Sequence, residues 1–349
     1  MNGKWGMCVR SAVLNAVVAL LFSGIAYAQQ YTITDLGQVG AWGISDTGEV
    51  VGTAGVAGPG TPSRAIVWTA AHGVQMFGIF PGGHYSDGHA INHFGVVVGA
   101  ADSSNYVSHA FLSLGPSKPL KDLGVLYHTQ YSEAFAISDS GVVAGSASSL
   151  TGATRAFRWT STTGMRGLDA LAGGMNNTAT GINNVGQIVG YSSSGGQATN
   201  WHACWWPKPN GVIPTDLGTL PGYVTSSALG INVHGAVVGD SGKAGTSHAF
   251  LWTATTGMKD LGLLNNTLWT SARAINDSGE VVGIAYPPHG NPYHAFVWTQ
   301  AGGMKDLNQL IPSGTGWTLV WATGIDAKGQ ITGLGMLHGQ SHGFLLTPK

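Results

Sequence analysis

Charge is scarce in this sequence: Asp, Glu, Lys and Arg together make up 9% of 349 residues, and the formal net charge is −1. Duplex binding needs clustered Lys and Arg to neutralise phosphates, and no basic run occurs, which argues against nucleic acid as a partner. Cysteine is nearly absent. Cys8 lies in the N-terminal segment and Cys204 is left alone, so no internal disulfide forms and stability must come from packing over a large core. Common catalytic signatures are missing too: there is no Gly-x-Ser-x-Gly elbow, no His-Glu-x-x-His and no paired-cysteine zinc pattern,. Glycine-rich stretches such as Gly52 to Gly60 lack the Lys-Ser/Thr ending of a phosphate loop, and the Asp-x-x-Gly turns fall short of a calcium loop,. No cofactor or metal is expected.

Long apolar runs are confined to the N-terminus. Lys4 and Arg10 precede an apolar stretch from Ala12 to Ala26, broken by Asn15 and followed by Ala26-Tyr27-Ala28 and Gln29. That is the pattern of a secretory signal peptide over residues 1–28, cleaved near Ala28. The expected mature chain, 29–349, is one soluble domain without a membrane span, exported to the periplasm or the extracellular space.

What the sequence has in abundance is glycine, 55 residues of it, and the glycines are periodic. Aligning on one isoleucine gives Ile44, Ile91, Ile137, Ile182, Ile231, Ile275 and Ile325, a spacing of roughly 46 residues,. Ser, Asn or Asp follows each, a glycine stands four places on (Gly48 to Gly329), and another glycine four places after that (Gly52 to Gly333). Small residues sit one and three places before each isoleucine, as in Ala41 and Gly43 or Ala228 and Gly230. Such alternation suits an innermost strand where neighbouring sheets converge, and the Asn/Ser/Asp with glycine reads as a tight hairpin turn.

A third strand recurs as Arg64 to Thr69, His109-Ala110-Phe111, Arg155 to Thr160, His202 to Trp206, His248 to Thr253, His294 to Thr299 and His342-Gly343-Phe344. Cys204 takes the Phe place and reads as a buried small apolar residue. A fourth strand follows, as in Gly257-Met258-Lys259-Asp260-Leu261-Gly262. Four antiparallel strands in each repeat, seven repeats and almost no helix predict an all-β, seven-bladed β-propeller. Residues 31–37 form an orphan fourth strand, while the chain stops after a third strand near Leu346; pairing the two completes the last blade and closes the ring,.

With those motifs in place, the chain resembles the extracellular repeat proteins named for a His-Ala-Phe tripeptide, here His109-Ala110-Phe111, His248-Ala249-Phe250 and His294-Ala295-Phe296. The resemblance covers residues 31 to 347. It implies the propeller fold and an extracellular setting, and it carries no catalytic residue over.

Five of the histidines share one repeat position, and Asp recurs before Leu in the fourth strand. The expectation is five structural cross-strand pairs: His109 with Asp122, His202 with Asp216, His248 with Asp260, His294 with Asp306 and, through ring closure, His342 with Asp35. The two repeats without that Asp, at Met76 and Gly167, are the ones with Arg64 and Arg155 in place of His, and Asp169 is a candidate partner for Arg155.

A blade has stereotyped connections on one face and long, irregular ones on the other, and binding groups collect on the variable face. It gathers His84, Tyr106, Tyr127, His128, His289 and the rings Tyr85, Tyr131, Trp269, Trp317 and Trp321, the last five being the expected ligand-binding set. Rings with few charges suit stacking on sugars. The inner strand has one variable place in each repeat, filled by Trp42, His89, Phe135, Thr180, Leu229, Arg273 and Thr323. Three functions are consistent with this pattern. The favoured one is an exported, monomeric module binding a glycan or another surface polymer. The alternatives are a lyase-like polysaccharide-cleaving enzyme, with His89 or Tyr85 as base, Arg273 neutralising a carboxylate and Asp87 with Glu133 as tuning carboxylates or metal ligands, and a protein-interaction scaffold.

Overall fold

A computed structural model describes residues 31–55, 62–104, 106–126, 130–148, 153–195, 197–207, 211–264, 267–287 and 293–349. The signal segment, Gly58, Gly60, Tyr127, His128 and His289 lie outside the described residues. Among the described residues the chain is all-β, with a single 3-10 turn at Leu307–Gln309. No helix there is long and apolar enough to cross a membrane.

The strands form antiparallel four-stranded units in strict chain order. Unit 1 runs Val39–Ile44, Val50–Ala54, Arg64–Thr69 and Gly73–Met76. Units 2 to 6 span 86–122, 132–167, 177–218, 225–262 and 269–306. Units 5 and 6 are joined into one eight-stranded sheet by a parallel bridge between Ser247 and Trp269. Unit 7 takes Trp317–Ile325, Ile331–Leu337 and Gln340–Pro348 from the end of the chain, and its outermost strand, Tyr31–Asp35, from the beginning. That strand pairs antiparallel from Tyr31 opposite Pro348 to Asp35 opposite Phe344.

Two glycines in each repeat have separate physical causes. The first lies in the tight turn with φ between +74° and +87°, a region that costs an L side chain dearly,. The second is excluded from carrying a side chain by its neighbour: a Cβ on Gly52 would meet the Gly40 carbonyl oxygen at 1.7 Å, and one on Gly239 the Ser227 oxygen at 1.9 Å. The cause of this approach is a bulge in the inner strand, where the register slips between Ala41 and Gly43 and between Ala228 and Gly230. Every inner strand has one, and the extra residue is the variable one: Trp42, His89, Phe135, Thr180, Leu229, Arg273 or Thr323. A bulged residue stands outside the ladder's pairing, so its identity is free of the sheet's demands.

The core lies between successive units. Val51, Ala65 and Val67 of unit 1 pack on Ile91, Val97 and Phe111 of unit 2, and Leu345 of unit 7 packs with Val39, Ala41, Val50 and Ile66 of unit 1. The repeated Phe is fully buried at 111, 157, 250, 296 and 344, and Cys204 fills the same place. Burial pushes the Cys204 thiol well up, so it is an apolar filler and not a nucleophile,.

Buried hydroxyls and amides stitch unit to unit. Ser132 Oγ accepts from the Ala110 amide and donates to the Gly124 carbonyl; Ser226 does the same with Ala203 and Gly218, and Thr270 with Ala249 and Gly262. In unit 4 Asn177 takes over, accepting from Ala156 N and donating to Leu168 O. Each such group lies five residues before its repeat isoleucine, a signal the sequence carried and the periodicity argument passed over.

The close approach at the second glycine yields a direct test. Gly239→Ala should destabilise the fold by about 3 kcal/mol, since Cβ and a backbone oxygen cannot share that space without a strand shift,. Urea unfolding of the purified chain measures it, and a loss within about 0.5 kcal/mol of wild type would show that the inner bulge yields freely.

Candidate functional site

The five His and five Asp of the repeat meet. His109, His202, His248, His294 and His342 each bring Nδ1 to the carboxylate of Asp122, Asp216, Asp260, Asp306 and Asp35, at 2.5–2.9 Å. The same carboxylates also accept an amide two residues on, from Gly124, Gly218, Gly262, Asn308 and Gly37. Each Asp therefore ties its own turn to the start of the third strand, and Nε2 of the His is left free of that bond. Burial works to raise the Asp122 carboxyl, and His109 with the Gly124 amide more than offsets it, leaving the pKa lowered.

The two Arg repeats are built differently. Arg64 Nη1 donates to the carbonyls of Ser63 and His84 at 2.8 and 2.7 Å, replacing a carboxylate that Met76 does not supply. Arg155 and Asp169 make no ion pair. The exposed Asp169 contributes its backbone carbonyl instead, which accepts from Trp206 Nε1 and Asn177 Nδ2. The expected replacement pair is corrected accordingly.

Along the inner strands, the bulged Trp42 and Arg273 join their neighbours in one polar and aromatic cluster. Trp42 meets Trp321 edge to face at 5.9 Å, and the Arg273 guanidinium lies over the Trp321 ring at 5.1 Å,. Trp42 Nε1 donates to Thr53 Oγ1 at 3.2 Å, and Thr53 in turn donates to Asp87. Across the junction of units 5 and 6, Ser271 donates to Asp240 at 2.9 Å. Burial pushes the Asp240 carboxyl up, against the pull of Ser271, Arg273 and Ser247. Arg273 Nε and Trp321 Nε1 are both buried donors without a protein acceptor.

His89 sits beside this group. Its Nδ1 is within 3.0 Å of the Ala134 carbonyl, an acceptor only, so Nδ1 carries hydrogen; Nε2 lies 3.5 Å from Glu133 and the ring stacks on Phe135 at 5.7 Å,. His89, Glu133, Asp87 and Arg273 are thus the four candidates placed on inner strands, Asp87 and Glu133 near the starts and His89 and Arg273 at the bulges. Asp240 and Thr53 were not foreseen. They stand one residue after the second repeat glycine, where the other repeats have Ala100, Ser146, Tyr191, Ile284 and Leu334, and that irregularity was the available signal.

Of the expected ring set, the structure distributes what the sequence grouped together. Trp321 belongs to the cluster just described. Trp317 packs edge-on against His342 and Phe344. Trp269 contacts Tyr286, which contacts Tyr293, and its Nε1 donates to Gly245 O at 3.0 Å. Tyr131 is half-exposed. Among the described residues no ring contact joins two of the five. Tyr85 is corrected as a stacking surface, because it is only 5% exposed, and the same burial raises its phenol.

A second polar site on the same end is Asp102, whose residue is fully buried. Its Oδ1 accepts the amides of His84 and Tyr85, both at 2.7 Å, and Oδ2 meets His84 Nδ1 at 2.9 Å, with Tyr106 stacked on that His at 4.1 Å. Burial acts to raise the Asp102 carboxyl, and the three donors outweigh it, so the pKa is lowered. Among the described residues there is no group of three or more His, Cys, Asp or Glu that could hold a metal ion.

At the opposite end, the tight turns of all the repeats enclose a cavity of about 230 Å³ whose wall includes every one of the repeat isoleucines from Ile44 to Ile325. The inner strands therefore converge on one space. Asp46, Asp139 and Asp277 on its rim hold amides of adjacent turns, those of Ala327, His93 and Val233.

Two measurements test these assignments. A double-mutant cycle at His248 and Asp260 should give a coupling of about 0.5–1 kcal/mol, modest because Asp260 is 44% exposed and solvent screens the pair,; zero coupling would leave the pair without energetic content. Asp102 has a folded pKa below its ordinary 3.8, so its contribution is present above that value and lost as pH falls through the lowered one. Asp102→Asn should cost about 2 kcal/mol at pH 7 and flatten the acid limb of a stability-against-pH curve; an unchanged limb would place the acid sensitivity elsewhere.

No protein-family model matches the chain, and no curated protein does. Solved structures do. The β-propeller domain of the Trilobed protease from Pyrococcus furiosus aligns over 92% of this chain and 94% of its own, with TM-score 0.56 and 10% identity. A puromycin hydrolase aligns at TM-score 0.58 and 12% identity over 86% of this chain and 50% of its own. Pyrococcus horikoshii acylaminoacyl peptidase gives 0.54 and 9% over 86% and 49%. The chain thus spans about half the length of these two enzymes. At such identities the likeness is one of fold alone, and the fold it shows is a β-propeller.

Proposed function

We propose that the chain is an exported, closed seven-bladed propeller of the His-Ala-Phe repeat kind. In this reading it binds carbohydrate, or a similar extracellular polymer, at the long-loop end of its axis. The observation that carries this reading is the Trp42, Trp321 and Arg273 group: two indole rings, with two buried N–H donors that no protein acceptor satisfies. A sugar offers what that surface needs, since its C–H faces stack on indoles and its hydroxyls accept from N–H. The remaining wall is hydroxyl and carboxylate, from Thr53, Ser271, Asp87 and Asp240, and such groups take the hydroxyl hydrogens. Closure is supported by the pairing of Tyr31–Asp35 with the final strand and by the cavity that all the repeats share. Export rests on the N-terminal pattern alone.

A cleaving enzyme is the second reading, and His89 against Glu133 favours it, because neutral His89 has its basic nitrogen turned to a carboxylate that would hold the protonated ring,.

The test is a glycan array probed with the mature chain, followed by titration of any ligand found. Trp321→Ala should weaken binding by about 2 kcal/mol, the scale of a truncated aromatic hot spot. Trp269→Ala should leave binding intact and lower the melting temperature, because its indole pins the Gly245 loop. The reverse pattern would move the site away from the axis. New absorbance from unsaturated sugar ends would replace binding with cleavage.

A further inference from the structure

The residue after each repeat isoleucine is Asn in four units, and all four do the same two things. The side-chain oxygen accepts amides of its own turn: Asn92 from Phe94 and Val96, Asn183 from Gln187, Asn232 from His234 and Ala236, Asn276 from Glu280. The side-chain nitrogen donates to the backbone carbonyl of the equivalent residue one unit on. These bonds run from Asn92 to Ser138, Asn183 to Asn232, Asn232 to Asn276 and Asn276 to Asp326, at 2.9–3.1 Å.

Asp326 holds this position in the last unit. Its Oδ1 accepts from Lys328 N at 2.9 Å and Gln330 N at 2.8 Å, as the asparagine oxygens do. Oδ2 then occupies the place of the asparagine nitrogen, and the equivalent residue one unit on is Ser45, across the seam between last and first units. Two bonds record that seam: Ala327 N to Asp46 at 3.0 Å and Thr323 Oγ1 to Ala41 O at 2.8 Å. The Ser45 carbonyl already accepts Gly48 N, just as the Asn232 carbonyl accepts Gly235 N, leaving its second lone pair for the neighbour,.

An ionised carboxylate there sets oxygen against oxygen. Asp326 is 2% exposed, and its Oδ2 is buried with no donor. We infer that Asp326 latches the last unit to the first as a neutral acid, donating its own O–H to the Ser45 carbonyl in place of the amide N–H that the four asparagines use. Among the described residues no donor reaches Oδ2.

The charged groups acting on Asp326 are consistent with protonation. Burial raises its pKa, the like charge of Asp46 on the first unit raises it further, and the amides of Gln330 and Lys328 with the Lys328 charge oppose without prevailing. Because the folded pKa lies above the ordinary 3.8, the latch contributes in full below that value. Its contribution falls as pH rises through the raised one.

The inference rests on ring closure and is independent of the carbohydrate reading. Asp326→Asn restores the hydrogen permanently. It should melt about 2–4 °C higher than wild type at pH 7, match it in acid, and remove the decline between. Difference infrared spectra should show a protonated carboxyl band in wild type that D326N lacks. A variant that melts lower than wild type at pH 7, or that keeps the wild-type pH profile, overturns the latch. So does calcium or sodium that raises the melting temperature of wild type but not of D326N, which would make Oδ2 a cation ligand. Thr323→Val cuts the other seam bond as a control: if it leaves stability unchanged, closure and not protonation is at fault.

Discussion

The convergence of the inner strands on one axial space is the constraint from which most of this structure follows. Where adjacent sheets press together, only Ala or Gly fits, and Ala41, Ala134, Ala179, Ala228, Ala272 and Ala322 are completely buried. The bulge beside them drives a carbonyl into the second strand and makes glycine obligatory at positions such as Gly52 and Gly239. It also frees one residue in each repeat from pairing. A single geometric requirement thus accounts both for the monotony of the repeat and for its one place of licence.

Stability is then distributed between units and not within them. Each hydrophobic cluster draws on two neighbouring units, and the buried Ser132, Ser226, Thr270 and Asn177 carry hydrogen bonds across the same junctions. Among the described residues Cys204 is the one cysteine, buried and free, so no disulfide supplements them there. The junction between last and first units is chemically distinct, because Asp326 is the one carboxylate at a position held by Asn or Ser in the other units, and it borders the sheet in which the two chain ends pair.

The irregular side chains collect where the repeat is broken. The His–Asp pairs recur with the scaffold and are partly exposed turn fasteners. The polar and aromatic cluster occurs once: Trp42, Asp87, His89, Asp240, Arg273 and Trp321 come from five units, and no single unit repeats the set. Their partners are each other across unit boundaries, as Thr53 with Asp87 and Asp240 with Ser271 show. A site of this kind gains rigidity from packed strands and variability from bulged ones.

The sequence by itself determined the four-strand repeat, the glycine places, the pairing of its ends and the His–Asp partners, because each follows from spacing along the chain within one sheet or its immediate neighbour. Ile44 and its six equivalents set the register, and Asp260 had to fall beside His248 once the hairpin length was given. Only the tertiary structure decided which rings stand together. Trp42 and Trp321 lie 279 residues apart and meet because the first and last units are adjacent, whereas Tyr85, Trp269 and Trp317, equally aromatic and set at or just before the starts of inner strands, turn to separate neighbours. Burial decided Tyr85 in the same way, since exposure depends on what covers a side chain and not on which strand carries it. Asp326 combines the two levels: its position was legible as a repeat place, and its chemistry emerged only when the oxygen it carries was set against the carbonyl of Ser45.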